Sequence, residues 1–388
     1  MPTLKLPAAV GHLADYRMSA PRALPEKAEG PFNRVALAAA HVVADPLADV
    51  DPWLDVAIDW ERTIAFREHL WDLGLGVAEA MDTAQRGMGL DWPASLELIR
   101  RSLEAARARR GALIFCGAGT DHLAPAPRLT IHDVIRAYEE QIAAIERLGG
   151  RIVLMASRAL AACARSPDDY ATVYDRILAQ LRAPCIIHWL GEMFDPALEG
   201  YFGARDHIAA MEVCLGIVEA NAAKVDGIKL SLLDKDKETL LRARLPGAVR
   251  MYTGDDFNYA ELIAGDGERH SDALLGIFDP IAPAAAGALS ALADGRTAAF
   301  HEILAPTVPL SRHIFKAPTR FYKTGVVFMA WLNGHQDHFV MVGGQESARS
   351  LVHLAELFRL ADAAGLLRDP ELAAARMRKI MAVHGVEG

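Results

Sequence analysis

The sequence predicts an α/β fold: a closed (β/α)8 TIM barrel with an N-terminal extension and a C-terminal helical appendix. Three observations predict it. Short runs rich in Val, Ile and Leu recur eight times without polar alternation, the texture of parallel strands buried on both faces. Segments with helical periodicity separate them. No Gly-x-Gly-x-x-Gly follows the first run, as it would in an open dinucleotide-binding sheet, and Gly117-Ala-Gly is too short a substitute.

In order along the chain, residues 1–33 are rich in proline and read as an irregular extension. The barrel is expected over residues 34–295. Its strands are Val35–Ala44, Gly76–Met81, Ala112–Gly117, Arg151–Ala156, Pro184–Leu190, Val225–Leu232, Val249–Thr253 and His270–Ile277, the last the least strand-like. Thr130–Leu148 reads as a helix. Thr130 suits an N-cap, Ile131, Val134, Ile135, Tyr138, Ile142 and Ile145 fall on one face, and Gly149-Gly150 ends it. Pro93–Arg109, Asp168–Leu181 and Asp206–Asn221 read similarly. Residues 296–388 turn helical again, at Arg296–Leu304, Ser347–Gly365 and Pro370–Val383. Between them Leu310–Gly344, dense in aromatics, His and Gly, is expected to pack over the barrel or to form a subunit contact.

Composition narrows the function. With 52% hydrophobic residues among 388 the chain can build a core of several layers, and 23% charged residues disfavour disorder. A net charge of −9 argues against a nucleic-acid partner, which needs a basic footprint. Cys116, Cys163, Cys185 and Cys214 form no Cys-x-x-Cys pair, so neither a zinc knuckle nor a redox dithiol is signalled. No apolar run reaches the roughly 18–20 residues of a membrane span, and the N-terminus lacks the pattern of a signal peptide. The expectation is a cytoplasmic homo-oligomer, dimer or tetramer, whose partner is a small-molecule substrate rather than nucleic acid or membrane.

In such a barrel the active site lies at the C-terminal ends of the strands. Lys229, in Val225-Asp-Gly-Ile-Lys-Leu-Ser, alternates with Ile228 and Leu230, so it points into the barrel if those residues face the helices. Burial without an acid partner favours its neutral amine, a nucleophile toward carbonyl carbon. The other reading is a lysine on an edge strand, or one paired with a carboxylate such as Asp226. His188, mid-run in Cys185-Ile-Ile-His-Trp-Leu, is a proton carrier or a satisfied core histidine. Asp255 and Asp256 follow the seventh strand and suit substrate hydroxyls, a metal, or the cap of the next helix. Asp82 and Thr83 end the second strand, to contact substrate or cap a helix. Arg158 ends the fourth, as an anion-binding or a surface residue. His41, His270 and Asp45 also lie near strand ends. A metal site of His41, His188 and His270 is conceivable, but no ligand spacing singles it out.

At Lys229 the chain resembles the dihydrodipicolinate synthase and N-acetylneuraminate lyase superfamily of class I aldolases, over roughly residues 35–367. Gly227-Ile-Lys-Leu-Ser is similar to the family's segment carrying the Schiff-base lysine, and Tyr252-Thr-Gly-Asp-Asp to its Gly-Asp-Asp after strand seven. A third likeness is the order that follows: Gly265–Gly276, Pro280, a helix to Asp294-Gly, then C-terminal helices. The resemblance implies a TIM barrel with lysine chemistry. It departs at three places. Ile187-His-Trp-Leu-Gly stands where the family carries a proton-relaying tyrosine, and Ser157-Arg where tyrosines are usual. Met81-Asp-Thr-Ala-Gln stands where Gly-Thr-Thr-Gly-Glu grips pyruvate's carboxylate. Asp82 there would repel a carboxylate and suits hydroxyls instead.

The expected function is a Schiff-base lyase, of aldolase or dehydratase type, acting on a keto sugar or sugar-derived keto acid. Lys229 is the nucleophile and His188 the proton carrier, while Asp82, Thr83 and Asp255 orient hydroxyls, with Arg158 and Asp256 as further substrate contacts. No metal or organic cofactor is required. The rivals are a metal-dependent isomerase or class II aldolase, and a barrel that only binds a small molecule.

Overall fold

The computed structural model describes residues 1–8, 11–23, 27 and 30–386. Two strands, β1 (Thr3–Pro7) and β2 (Leu13–Arg17), pair antiparallel as a hairpin. Eight more form a closed parallel barrel: β3 (Ala36–Ala39), β4 (Gly76–Glu79), β5 (Ile114–Ala118), β6 (Arg151–Leu154), β7 (Cys185–Leu190), β8 (Val225–Ser231), β9 (Arg250–Thr253) and β10 (Asp272–Leu275), with β10 closing on β3. This is a TIM barrel, and each expected run contributes one strand.

Side-chain alternation divides the barrel core in two. Leu37, Ala39, Ala78, Phe115, Val153, Ile186, Tyr252 and Leu274 fill the lumen. Their strand neighbours, such as Ala38, Val77, Cys116, Ile152, Ile187, Ile228 and Met251, face the helices. Gly227 is small for the sake of this packing and not of a ligand. A Cβ there would lie 2.6 Å from the Tyr252 ring, which plugs the lumen. Asp226 is held at that end by the Tyr252 hydroxyl (2.6 Å), Arg151 and Arg250, and so does not partner Lys229.

The helix expected at Thr130–Leu148 spans Ile131–Arg147 and opens with a capping box between Thr130 and Asp133. After the barrel come helices Thr297–Leu304, Thr307–Ile314, Tyr322–Leu332, Leu351–Ala363 and Pro370–Val383. Where it is described, the N-terminal extension is more regular than its prolines suggest. Leu4 and Leu6 alternate with exposed Thr3 and Lys5, a strand signal, and bury against the C-terminal helices. Asp362 anchors the extension, accepting from the Tyr16 hydroxyl (2.7 Å) and the Ser19 backbone (2.9 Å). Among the described residues no helix is long and apolar enough to cross a membrane.

Candidate active site

Strand β8 carries Lys229 into the upper lumen, in register with His188 on β7 and Tyr252 on β9. The side chain is 7% exposed. Among the described residues its ammonium makes no hydrogen bond or ion pair. Burial lowers its pKa, and the carboxylates of Asp82 and Asp256 oppose that shift. Gly254 makes room for it: a Cβ there would meet the Ser231 hydroxyl at 2.2 Å and Lys229 Cε at 2.9 Å. The glycine of the Tyr252-Thr-Gly-Asp-Asp motif is thus what lets the lysine lie against β9.

Lys229, Ser231, Asp82, Thr83, Asp256 and Tyr322 line a chamber of about 10 Å³, room for about one water. Asp256 is 4% exposed and accepts from the Ile277 backbone (2.8 Å). Burial pushes its pKa up to about 7, against the pull of that hydrogen bond and of Lys229. The adjacent Asp255 does not join it. Its oxygens accept from the Phe257 and Asn258 backbones and the Asn258 amide, a local turn ahead of helix Tyr259–Ala264, whose N-cap is Asn258, so the expected cap of the next helix is not made. Gly276, just past β10, leaves space for Thr83 and Tyr322, each within 3.3 Å of where its Cβ would stand.

Tyr322 was not singled out in the sequence. It opens helix Tyr322–Leu332, stacks on Phe315 and bonds Thr83 through its hydroxyl (2.8 Å). Burial raises its pKa well above the usual phenol range, and the carboxylate of Asp82 adds to that. The phenol therefore stays protonated. His188 is fully buried, with Nε2 3.2 Å from the Ser231 hydroxyl and Nδ1 unpartnered among the described residues. Burial and the Lys229 charge drive its pKa well down, so the ring is neutral. It lines a cavity adjoining the lysine chamber, and Asp82 borders both.

Outside lies a wider cavity of about 350 Å³, bordered by Asp82, Arg158, Asp195, Arg320 and Lys323. Arg158, at the start of helix Arg158–Cys163, is paired with Asp195 and 43% exposed at this mouth. Arg86, also missed, braces the loops beneath it. It bonds Asp121, Gln141 and the carbonyls of Ala80 and Gly117. His270 precedes β10 and so sits at the opposite end of the barrel from His188, while His41 pairs with Asp279 (2.7 Å). The trio is thus dispersed. Among the described residues no three His, Cys, Asp or Glu side chains are grouped as metal ligands.

Solved structures share this architecture. Dihydrodipicolinate synthase from Aquifex aeolicus superposes with a TM-score of 0.64 at 12% identity, covering 86% of this chain and 99% of that one. The 4-hydroxy-tetrahydrodipicolinate synthase from Methylacidiphilum fumariolicum SolV gives 0.64 at 15%, covering 89% and 99%. The prophage protein YagE from E. coli K12, of the dihydrodipicolinic acid synthase family and solved in complex with pyruvate, gives 0.66 at 13%, covering 86% and 99%. At such identities the likeness concerns the fold. No curated protein matches the sequence. The family profile of a protein of unknown function, DUF993, matches residues 4–386, so the chain belongs to the DUF993 family and shares the fold of the dihydrodipicolinate synthases.

Proposed function

We propose that the protein is a lyase that forms a Schiff base at Lys229 with the carbonyl of a small keto sugar or sugar-derived keto acid. One observation carries the reading: a buried lysine without a hydrogen-bond or ion-pair partner among the described residues, in a chamber at the C-terminal end of a TIM barrel, beside a carboxyl whose pKa is about 7.

The amine of Lys229 adds to the carbonyl carbon. Its nitrogen loses a proton, the carbonyl oxygen leaves as water, and the protonated imine then takes up the electron pair of an adjacent C–C or C–H bond. Asp256, able to exist in either protonation state near neutrality, takes the nitrogen's proton. Asp256 returns that proton to the oxygen, giving a carbinolamine hydroxyl, and Tyr322, protonated and bonded to Thr83, donates the second proton with which the hydroxyl leaves as water, regaining one from solvent. It supplies from the C-terminal helix the phenol that β7 lacks. His188, neutral, accepts a proton through Nδ1 or orients a hydroxyl. Asp82 and Thr83 receive substrate hydroxyls, and Arg158 contacts the substrate at the mouth. On this reading the 34–295 barrel and the 296–388 helices form one catalytic unit, since Tyr322 belongs to the latter.

The test is intact-mass analysis after incubation with keto compounds and borohydride, followed by peptide mapping. The expected result is one reduced adduct on the peptide spanning 225–234. Turnover that chelators abolish and zinc or manganese restores, without an adduct, would establish the metal-dependent reading instead.

A further inference from the structure

Lys323 is the neighbour of Tyr322 and faces the wider cavity. It is 4% exposed. Its ammonium donates to the Arg320 carbonyl (3.1 Å) and to the thioether of Met88 (3.4 Å), a weak acceptor, and sits 4.6 Å from the Tyr322 ring centre. Among the described residues no carboxylate is within ion-pair distance. A buried ammonium with so little compensation is costly unless something else satisfies it. Arg320 adds a second cation, its guanidinium over the Phe321 ring and free of any ion pair among the described residues. Arg158 adds a third, partly neutralised by Asp195.

The charge at the other end of the path has the opposite sign. Asp82 lies where the wider cavity meets the lysine chamber, so an anionic group attached next to the reacting carbonyl would face a carboxylate. The site is therefore polarised along its length, acidic and hydroxyl-binding near Lys229 and cationic toward the mouth.

We propose that the substrate is a ketone with no anionic group beside its carbonyl and with a carboxylate or phosphate at its remote end, seated on Lys323 with Arg158 and Arg320. This rests on the Schiff-base reading and gives it a substrate class whose charge runs opposite to that of a 2-oxo acid. Burial brings the Lys323 pKa down to about 8, opposed by Asp82 and Asp195. A bound anion would restore the ammonium, and affinity for it should weaken as the pH rises past that value.

The experiment compares a ketohexose, its 6-phosphate, the corresponding 6-carboxylate and pyruvate, each as the concentration half-saturating the borohydride adduct at Lys229. The expected result is half-saturation at least tenfold lower for one remote-anion compound than for the neutral ketose, with pyruvate poorest. The phosphate and carboxylate arms decide which anion is used. Lys323→Met should erase the difference between anionic and neutral compounds, and Lys323→Arg should retain part of it, with both variants checked for unchanged melting temperature. Equal half-saturation across the panel, with Lys229 still trapped, overturns this inference and leaves the Schiff-base reading standing.

If no compound is trapped, the Schiff-base reading falls, and binding alone decides. Inorganic phosphate or malonate should raise the melting temperature of the native protein and not of Lys323→Met. No rise in the native protein overturns the proposal.

Discussion

Lys229 and Asp256 share a chamber with room for about one water, so each sets the other's charge state. Lys229→Ala should abolish adduct and turnover while moving stability by no more than about 1 kcal/mol, since the amine makes no hydrogen bond that the fold would lose. Lys229→Arg should be equally inactive, because guanidinium stays protonated. Mass spectrometry and thermal melting check both, and full activity in Lys229→Ala would end the mechanism. Tyr322→Phe removes a donor without removing the ring that stacks on Phe315. It should lower kcat about 10²–10⁴-fold, the range for a positioned acid. An unchanged kcat would leave the phenol a packing residue. Asp256 makes a prediction in pH. Its folded pKa, about 7, lies above the ordinary carboxyl value, so the folded state holds the proton more tightly. Its stabilising contribution is complete below the ordinary value and is lost as the pH rises toward about 7. Asp256→Asn has no such loss, so its melting temperature should gain on the native protein between about pH 4 and 7 and then level off. A native protein that instead gains through this window would show that the Lys229 ammonium stabilises the carboxylate.

At the level of elements, β8 can lie close against the end of β9 at one point because Gly254 has no side chain. Gly254→Ala would place a methyl 2.2 Å from the Ser231 hydroxyl, 2.7 Å from the Leu230 carbonyl and 2.9 Å from Lys229 Cε. Backbone and lysine cannot both stay in place. The expected cost is about 1–3 kcal/mol, as for other overpacked cores, with adduct formation slowed more than the melting temperature suggests. Native-like adduct kinetics would show that the strands can part without moving the amine. This contact also shows what was legible in the sequence. The eight strands could be read because parallel strands buried on both faces leave compact apolar runs. Lys229 stood out because an amine inside such a run is costly to bury unless a partner or a ligand answers it. Which of its neighbours touch it was not legible, since Gly227 serves the Tyr252 ring and Asp255 a local turn, while Gly254 and Asp256 serve the lysine. Spacing along one strand does not encode contacts across strands. Tyr322 and Lys323 were out of reach for the same reason, lying some ninety residues beyond Lys229. One signal did exist: a tyrosine and a lysine opening the otherwise apolar helix Tyr322–Leu332. A helix apolar on every side must be buried, and polar groups buried at its first turn need a purpose.

For the whole molecule, that helix decides whether the barrel can stand alone. Every residue from Tyr322 to Leu332 is buried, which places the helix between the barrel and the outer C-terminal helices. The N-terminal hairpin grips the same outer layer through Asp362 and through Arg378, which donates to the Thr3 carbonyl (2.8 Å). The hairpin and the outer helices pack on one another, and the outer helices pack on helix Tyr322–Leu332, which brings the phenol to the lysine chamber and the Lys323 ammonium to the mouth. A chain ending at Gly295 should lose more than those two groups. The surface stripped of its cover includes the segment after β10, where Phe315 and Tyr322 lie against Gly276 and where Pro280 and Pro283 border a cavity with Met329 and Ala330, and exposed apolar patches drive association. The truncated protein should aggregate, or bind a hydrophobic dye without a cooperative melting transition, and should form no adduct at Lys229. Supplying residues 296–388 as a separate chain should restore part of both. A truncated barrel that melts cooperatively and is still reduced onto a ketone at Lys229 would show that the appendix is a cover only, and would take Tyr322 and Lys323 out of the active site.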